Sequence, residues 1–478
     1  MEYLQEENDT NPEFCYKVVS TVEQGDKTMS ENMDEASQRN LMNGKCIIVV
    51  GGGSYRLRNI WQDAAKYGIE VIVVETDSQH IAKDHVPHFI QYDFSDHKID
   101  DVHAAEILNL IHGHGIKADG CLSFWDECVP LAALINEKLG IRGPSFEAMM
   151  TANSKTETLN VLSMRGTDTS HRPRTHMYST KVVHLTTEMD CEKLPDGFRF
   201  PAMLKLDNGA GSIGACVVEN RIELKKKFGQ ITSSLRNDSD FPGIGLTYGN
   251  SMMTMEFFGG TEHNVDVIIY DSKLIAAFIT DGGMARRPYF IATAKRMPSF
   301  LSEDKQARLI EAAYRCCLQI GLSDGTFNVE FKLSENGLKL LEINPRMGGF
   351  CLRDWLRKLY GIDIMLCAMM IAAGISPYIR TPPVDEILIG VMVIPSLHAK
   401  ILNEEPLRNL LYEMIEKEEI TFLQFRKLGQ NLPYDEPFGN IAVSGSTSQE
   451  AKRKLMEVCR VLDIDQPDYQ VEQFIQHF

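Results

Sequence analysis

Gly337-Leu-Lys-Leu-Leu-Glu-Ile-Asn-Pro-Arg-Met-Gly-Gly349 reads as a short apolar strand that carries an acid and an amide on one side. Side chains two apart in a strand share a face, so Glu342 and Asn344 point together while Leu341 and Ile343 turn to the interior. Oxygens from a carboxylate and an amide suit a hard cation such as Mg²⁺. Arg346, in the turn that follows, presents a guanidinium able to grip a phosphate or a carboxylate. Just upstream, Gly325-Thr-Phe-Asn-Val-Glu-Phe-Lys332 places Glu330 on a second apolar strand, with Asn336-Gly337 read as the hairpin turn between them. Two acids on adjacent strands form a metal site; the alternative is an ordinary hairpin whose acids face solvent.

Upstream segments decide between those readings. Phe200-Pro-Ala-Met-Leu-Lys-Leu206 is a strand with Lys205 among apolar neighbours, and it runs through Asp207-Asn-Gly-Ala-Gly-Ser-Ile-Gly214 into a strand at 215–218. Glycines there let backbone N–H groups turn toward phosphate oxygens, which makes Gly209, Gly211, Ser212 and Gly214 a candidate phosphate loop. No Gly-Lys-Ser/Thr opens a helix, so it is not a Walker loop. An ammonium on a buried strand is costly unless an anion partners it. Thr151-Ala-Asn-Ser-Lys-Thr156 opens a helix with capping residues and puts Lys155 in its first turn, where a cation is unfavourable unless it faces a bound anion. A strand over 251–258 ends in Glu256-Phe257-Phe258, and Glu262 precedes a strand over 264–270 whose Val265-Asp266-Val267 alternation buries one face. Met284-Ala-Arg286-Arg287-Pro288 is a loop holding two arginines. A helix over 303–320 leads into the opening hairpin, helices follow over 352–360 and 364–373, and 387–394 is the clearest strand of the C-terminal part.

Toward the N-terminus, Cys46 to Val50, a Gly51-Gly-Gly53 turn, a helix over 59–67 and a strand over 70–74 make a βαβ start. Ser54, Tyr55 and Arg56 stand where a dinucleotide fingerprint needs its third glycine, so the glycines are read as a tight turn. Further units are a helix over 104–111, a strand over 120–124 and a helix over 129–139 stopped by Gly140. His112-Gly-His114 is read as a helix end in preference to a metal site. The polar, acidic residues 1–43 are expected to be a disordered leader, with order beginning near Lys45.

With 478 residues the chain can bury a large core, and 44% apolar with 24% charged residues is ordinary for a globular protein. The net charge of −17 argues against nucleic acid or an anionic membrane as main partner. Its 11 scattered cysteines, with a vicinal pair at Cys316-Cys317 and no Cys-x-x-Cys, fit a reducing cytoplasm. The N-terminus lacks the pattern of a signal peptide, and the apolar run from Ile364 to Ile375 is too short to span a bilayer.

The ordered set Lys155, Lys205 with its glycine hairpin, Glu256, Glu262, Glu330 and Glu342-x-Asn344-Pro-Arg346 resembles the ATP-grasp superfamily. Within it, Phe327-Asn-Val-Glu-Phe331, Leu341-Glu-Ile-Asn-Pro-Arg-Met-Gly-Gly349, Leu352-Arg-Asp-Trp355, Lys205-Leu-Asp-Asn-Gly-Ala-Gly211 and Ser123-Phe-Trp-Asp-Glu-Cys-Val-Pro130 are similar to the carnosine synthase family, in its C-terminal half. The resemblance implies an ATP-grasp fold of α/β and α+β character: a Rossmann-like βαβ domain over 44–148, the ATP-grasp domain over 149–376 and a mixed α/β subdomain over 377–478. It implies ATP, with Lys155 and Lys205 on the α- and β-phosphates, the Gly209–Gly214 hairpin over the triphosphate, the Glu256-Phe257-Phe258 backbone at the adenine and Glu262 at the ribose. Glu330, Glu342 and Asn344 would hold two Mg²⁺ ions, with Mn²⁺ as an alternative. Arg346, helped by Arg286 or Arg287, would stabilise an acyl phosphate.

The implied activity is ADP-forming ligation of a β-alanine-like ω-amino acid to L-histidine. The competing readings are an ATP-grasp enzyme on another acid and amine, or a non-catalytic nucleotide-binding protein. Partners would be ATP and small amino acids, with a homo-oligomer left open. Met284-Ala285, Ala292 and Cys351 depart from the family pattern in regions expected to touch the amino acids.

Overall fold

Short β-branched runs, each followed by a helix, dictate a parallel sheet at the N-terminal end. Strands β1 (Cys46–Val50), β2 (Glu70–Glu75), β3 (His88–Gln91) and β4 (Gly120–Leu122) pair in parallel in the order β3-β2-β1-β4. The computed structural model describes residues 35–53, 58–164, 175–235, 248–286, 290–425 and 437–478. The Gly52 N–H donates to the Glu75 carboxylate at 2.5 Å, and a Cβ at Gly52 would run into the His80 ring. That amide is satisfied by the protein's own acid, which agrees with a tight turn; Ser54, Tyr55 and Arg56 lie outside the described residues. Gly140 caps the helix Val129–Leu139 in a left-handed conformation, as the sequence requires. His112 and His114 close the helix Asp100–Gly113.

The expected disorder through residue 43 is corrected at its end. A helix spans Glu35–Met42, Met42 is fully buried, and Gln38 exchanges two hydrogen bonds with the backbone of Tyr378 (2.7 and 2.9 Å). Met42 as the buried apolar residue among those from 37 to 42, and a backbone partner distant in sequence, leave no local signal.

A small antiparallel sheet follows, formed by β5 (Val182–Leu185), β6 (Ala202–Leu206), β7 (Cys216–Val218) and β8 (Met252–Glu256) in the order β5-β8-β6-β7. The pairing of Ala202 with Val218 makes β6 and β7 the expected glycine hairpin. Alternation on β6 buries Ala202, Leu204 and Leu206 with Leu224 and Phe228 of the helix Arg221–Ser234, which leaves Met203 and Lys205 on the opposite face.

The large antiparallel sheet contains β9 (Thr261–Tyr270), β10 (Lys273–Gly282), β11 (Ala294–Met297), β12 (Gly325–Ser334), β13 (Gly337–Asn344), β14 (Ile387–Val393), β15 (Thr421–Gln424) and β16 (Gly439–Gly445). Its order is β13-β12-β9-β10-β11-β14-β16-β15, so strands beyond Pro377 continue this sheet through β11. Odd-numbered Val265, Val267, Phe327, Val329 and Phe331 pack with Leu309, Ala312, Ala313 and Cys316 of the helix Glu303–Gln319. Even-numbered residues of β9 and β12 therefore form the other face, which is almost entirely polar.

A buried ion network ties the N-terminal unit to this body. Arg353 donates to Asp363 at 2.8 and 2.6 Å and to Asp63 at 2.7 Å, and the Tyr67 hydroxyl donates to Asp363 at 2.8 Å.

Candidate active site

Register places the polar face of the large sheet in rows. Glu330 stands opposite Glu342 on one side and Asn264 on the other, Asn328 stands between Asn344 and Asp266, and Lys332 pairs with Glu262. A bulge after Glu330 leaves Leu341 without a partner, because Phe331 pairs with Leu340. The expected burial of Leu341 is corrected by this bulge: Leu338, Leu340 and Ile343 enter the core, while Leu341 and Glu342 both line the cleft. The turn between β12 and β13 is Glu335-Asn336, since Ser334 pairs with Gly337, one residue earlier than expected.

A cleft of about 810 Å³ runs between this face and the small sheet. Lys155, Lys205, Gly209, Gly211, Ser212, Glu256, Phe257, Phe258, Glu262, Glu330 and Glu342, separated by up to 187 positions in the chain, all line it. Lys155 is the first residue of the helix Lys155–Ser163; its ammonium lies 3.3 Å from Glu342 and donates to the Gly209 carbonyl at 2.5 Å. Asp207 locks that geometry, accepting from Thr156 N–H at 2.8 Å and from the Ser154 hydroxyl at 2.7 Å. Gly211, Ser212 and Gly214 have φ of +64°, +60° and +70°, so successive amides of the loop can face one side.

The charges are unevenly held. Burial holds the Lys205 ammonium below its ordinary range, against the pull of Glu342. Glu330 is pushed up to about 8 by burial, then by the Glu342 and Glu262 charges. Burial also pushes Glu342 upward, but Lys155 and Lys205 together outweigh it and hold this carboxyl below the usual range. Asn344 donates its amide N–H toward Asn328 Oδ1 (3.3 Å) and Glu330 Oε1 (3.4 Å), which leaves its oxygen free to ligate. Among the described residues no group of three His, Cys, Asp or Glu side chains is placed to hold a metal. Two opposed, half-buried carboxylates and one amide oxygen nevertheless fit Mg²⁺, which takes few protein ligands and fills its shell with phosphate oxygens and water.

At the hinge between the sheets, the Phe257 N–H donates to the Pro201 carbonyl at 3.0 Å. The Glu256 carbonyl, on the opposite side of the same trans peptide from the Phe257 N–H, faces the other way, beyond the last β5–β8 pair at Val182 and Met255. Arg346 leaves β13 toward the N-terminal unit, donating to Asp126 at 2.6 Å and to the Met347 carbonyl at 3.0 Å. Arg286 forms a β-bridge with Ile291 at the rim, where Ala285 and Phe290 line the cleft; Arg287 lies outside the described residues.

Sequence reasoning assigns no role to Asp126, Asp207, Lys295 or Lys332. Lys332 lines the cleft with its ammonium 5.7 Å from the Phe257 ring centre, and buried Lys295 donates to Asn264 at 2.9 Å. Lys332 follows Glu330 by two and thus shares its face, a signal present in the sequence; the others depend on segments far apart in the chain.

The ATP-grasp N-terminal domain family matches residues 61–143, and the ATP-grasp domain family matches residues 198–354. The chain is an ATP-grasp protein. Carnosine synthase 1 of Homo sapiens is 39% identical over 94% of this chain and 54% of its own length, and that of Gallus gallus is 38% identical over 95% and 48%. This ATP-grasp chain thus spans about half the length of the curated relatives it matches. An L-amino acid ligase from Bacillus licheniformis superimposes with a TM-score of 0.70 at 15% identity, covering 87% of this chain and 98% of the other. N5-carboxyaminoimidazole ribonucleotide synthetase in its ADP complex gives 0.65 at 14% identity, with 88% and 98% covered. At such identities the superpositions establish the ATP-grasp fold alone.

Proposed function

We propose that the chain is an ADP-forming, Mg²⁺-dependent carboxylate–amine ligase that makes a small dipeptide, with carnosine-like substrates as the first pair to try. The observation that carries this reading is the opposed Glu330–Glu342 pair with Lys155 and Lys205 beside it, under a glycine hairpin. Acids and ammonium groups packed this way suit a metal-bound triphosphate, whose oxygens would pair with the lysines and whose metal would separate the carboxylates.

Lys155 and Lys205 would grip the phosphates, and the N–H groups from Gly209 to Gly214 would close over them. The Glu256 carbonyl and Phe258 N–H would read the adenine edge, and Glu262 would bond the ribose. Glu330, Glu342 and Asn344 would hold two Mg²⁺ ions. The ions held by these three residues would supply positive charge to offset that of the phosphate oxygens.

A carboxylate is a poor acyl donor because its leaving group would be oxide. Its oxygen attacks the γ-phosphorus and ADP leaves; the substrate amine then attacks the acyl phosphate carbon, loses a proton and expels phosphate. Arg346, held by Asp126, would orient the acyl phosphate, with Arg286 or Arg287 assisting from the rim. The hairpin excludes water that would hydrolyse the intermediate.

Free thiols at every cysteine among the described residues support a cytoplasmic setting. Among these residues no helix is long and apolar enough to cross a membrane. The deciding experiment measures ADP release with Mg²⁺–ATP over a panel of ω-amino acids and L-amino acids, beginning with β-alanine and L-histidine. Amine-dependent ADP release with a dipeptide product supports the reading, and its absence for every pair sinks it.

A further inference from the structure

Asp266 lies on β9 beside Asn328 of β12, which lies beside Asn344 of β13, one row above the two metal-site glutamates. All three side chains touch in sequence. Asn328 Nδ2 donates to Asp266 Oδ1 at 3.0 Å, and Asn344 Nδ2 donates to Asn328 Oδ1 at 3.3 Å. The same Asp266 oxygen accepts the Gly348 N–H at 2.9 Å. Gly348 is forced to be small by this packing, since a Cβ there would stand 2.6 Å from Asp266 Oδ1 and 3.0 Å from Asn328 Nδ2.

The chemistry of the chain of bonds runs in one direction. A carboxylate only accepts, so Asn328 must turn its NH₂ group to Asp266 and its oxygen to Asn344. Asn344 must then turn its own NH₂ inward, and its oxygen is the atom left for a metal ion. An amide that flipped would offer N–H groups to a cation. We infer that Asp266 is a positioning residue: through Asn328 it sets the amide orientation of Asn344, and through Gly348 it fastens the turn after Arg346 to the same row. The buried site supports this, because Asp266 and Asn328 are 0% and 3% exposed and no water can substitute as an acceptor without rearrangement.

This inference rests on the Mg²⁺ reading above, and the test separates the two. Mn²⁺ binding to the full chain in the presence of ADP is followed by electron paramagnetic resonance, with folding checked by circular dichroism. Asp266→Ala is expected to weaken Mn²⁺ binding by about 10–100-fold, as loss of an outer partner to a metal ligand does. Asp266→Asn retains an accepting oxygen for Asn328 and Gly348 and is expected to stay within about threefold of wild type. If Asp266→Ala does not fold, Asn328→Ala removes one of the two acceptors of Asn344, leaving Glu330 Oε1 at 3.4 Å, and is expected to weaken Mn²⁺ binding in the same direction. Mn²⁺ affinity of the folded Ala variant equal to wild type overturns the inference and leaves the ligase reading standing. Equal losses in Asp266→Asn and Asp266→Ala would replace the polarity argument with one of simple charge and also overturn it. Absence of Mn²⁺–ADP binding by wild type overturns both.

Discussion

Glu330 and Glu342 face each other directly across β12 and β13, yet the protein pushes their carboxyl groups in opposite directions. Lys155 and Lys205 sit on the Glu342 side, so Glu342 keeps its charge while burial and that charge disfavour a second one on Glu330. Glu342→Gln removes the ionised member and is expected to lower ADP release by about 100-fold or more, since even outer partners of metal ligands are worth 10–100-fold. The thermal midpoint should stay near wild type; activity within a few-fold of wild type would take Glu342 out of the proposed metal site.

Lys205 gives a stability and binding effect of opposite sign. Its ammonium is held below its ordinary range by burial before any nucleotide arrives. Lys205→Met keeps most of the side-chain volume and removes a half-buried charge that is partly desolvated, so the apo protein should melt no lower than wild type. ATP should bind about 10–100-fold more weakly, the value of a charge-assisted hydrogen bond. Isothermal titration with ATP and a melting curve on the same sample test both halves; a lower melting point with unchanged ATP affinity would make Lys205 a structural residue.

Gly348 has no space for a methyl group, with Leu352 Cδ1 at 2.5 Å from the position of a Cβ in addition to Asp266 and Asn328. Gly348→Ala is expected to destabilise by about 1–3 kcal/mol through overpacking and to reduce turnover. Urea unfolding beside an ADP-release assay checks it, and Gly349→Ala serves as comparison.

Arg353 holds two buried acids from different parts of the chain. Burial pushes Asp63 and Asp363 upward, but the Arg353 and Arg357 guanidinium groups, with Lys66 at Asp63 and the Tyr67 hydroxyl at Asp363, bring both below the usual range; Asp354 is the nearby like charge. Arg353→Met leaves the acids without their main partner and is expected to cost about 3–5 kcal/mol at neutral pH. Because both acids are depressed in the folded state, their contribution is present above the unfolded carboxylate value of about 4 and lost as pH falls through the folded values. The gap between variant and wild type should therefore narrow in acid. Denaturant melts at neutral pH and below the usual carboxylate range, at about pH 3, test this; a gap independent of pH would exclude the ion network as its source.

Period-two patterning makes the polar floor of the cleft legible in the residues themselves. Alternation in β9 and β12 separates Glu262, Asp266 and Glu330 from Val265, Val267 and Val329, and the glycines after Lys205 announce a hairpin. Glycine at the end of the helix Val129–Leu139 can be read as a stop because a left-handed residue there is a local requirement. Leu341 defeats the same reading because a bulge is an exception to alternation: the extra residue is accommodated only when β13 is laid beside β12. The helix Glu35–Met42 escapes local reading because its partner is Tyr378.

By itself the sequence determined which strands are two-faced, where the loops turn and which residues carry charge, since those follow from interactions over a few residues. It also determined the ordered set of lysines, acids, amide and arginine on which the ATP-grasp likeness rests. Only the tertiary structure decided that Glu330 faces Glu342, that Lys155 reaches both Glu342 and Gly209, that Asp126 takes Arg346, and that Asp266 accepts from Asn328. Those relationships depend on strand register and on contacts between distant segments, and register is set by the packing of whole sheets, so no short stretch of the chain encodes them.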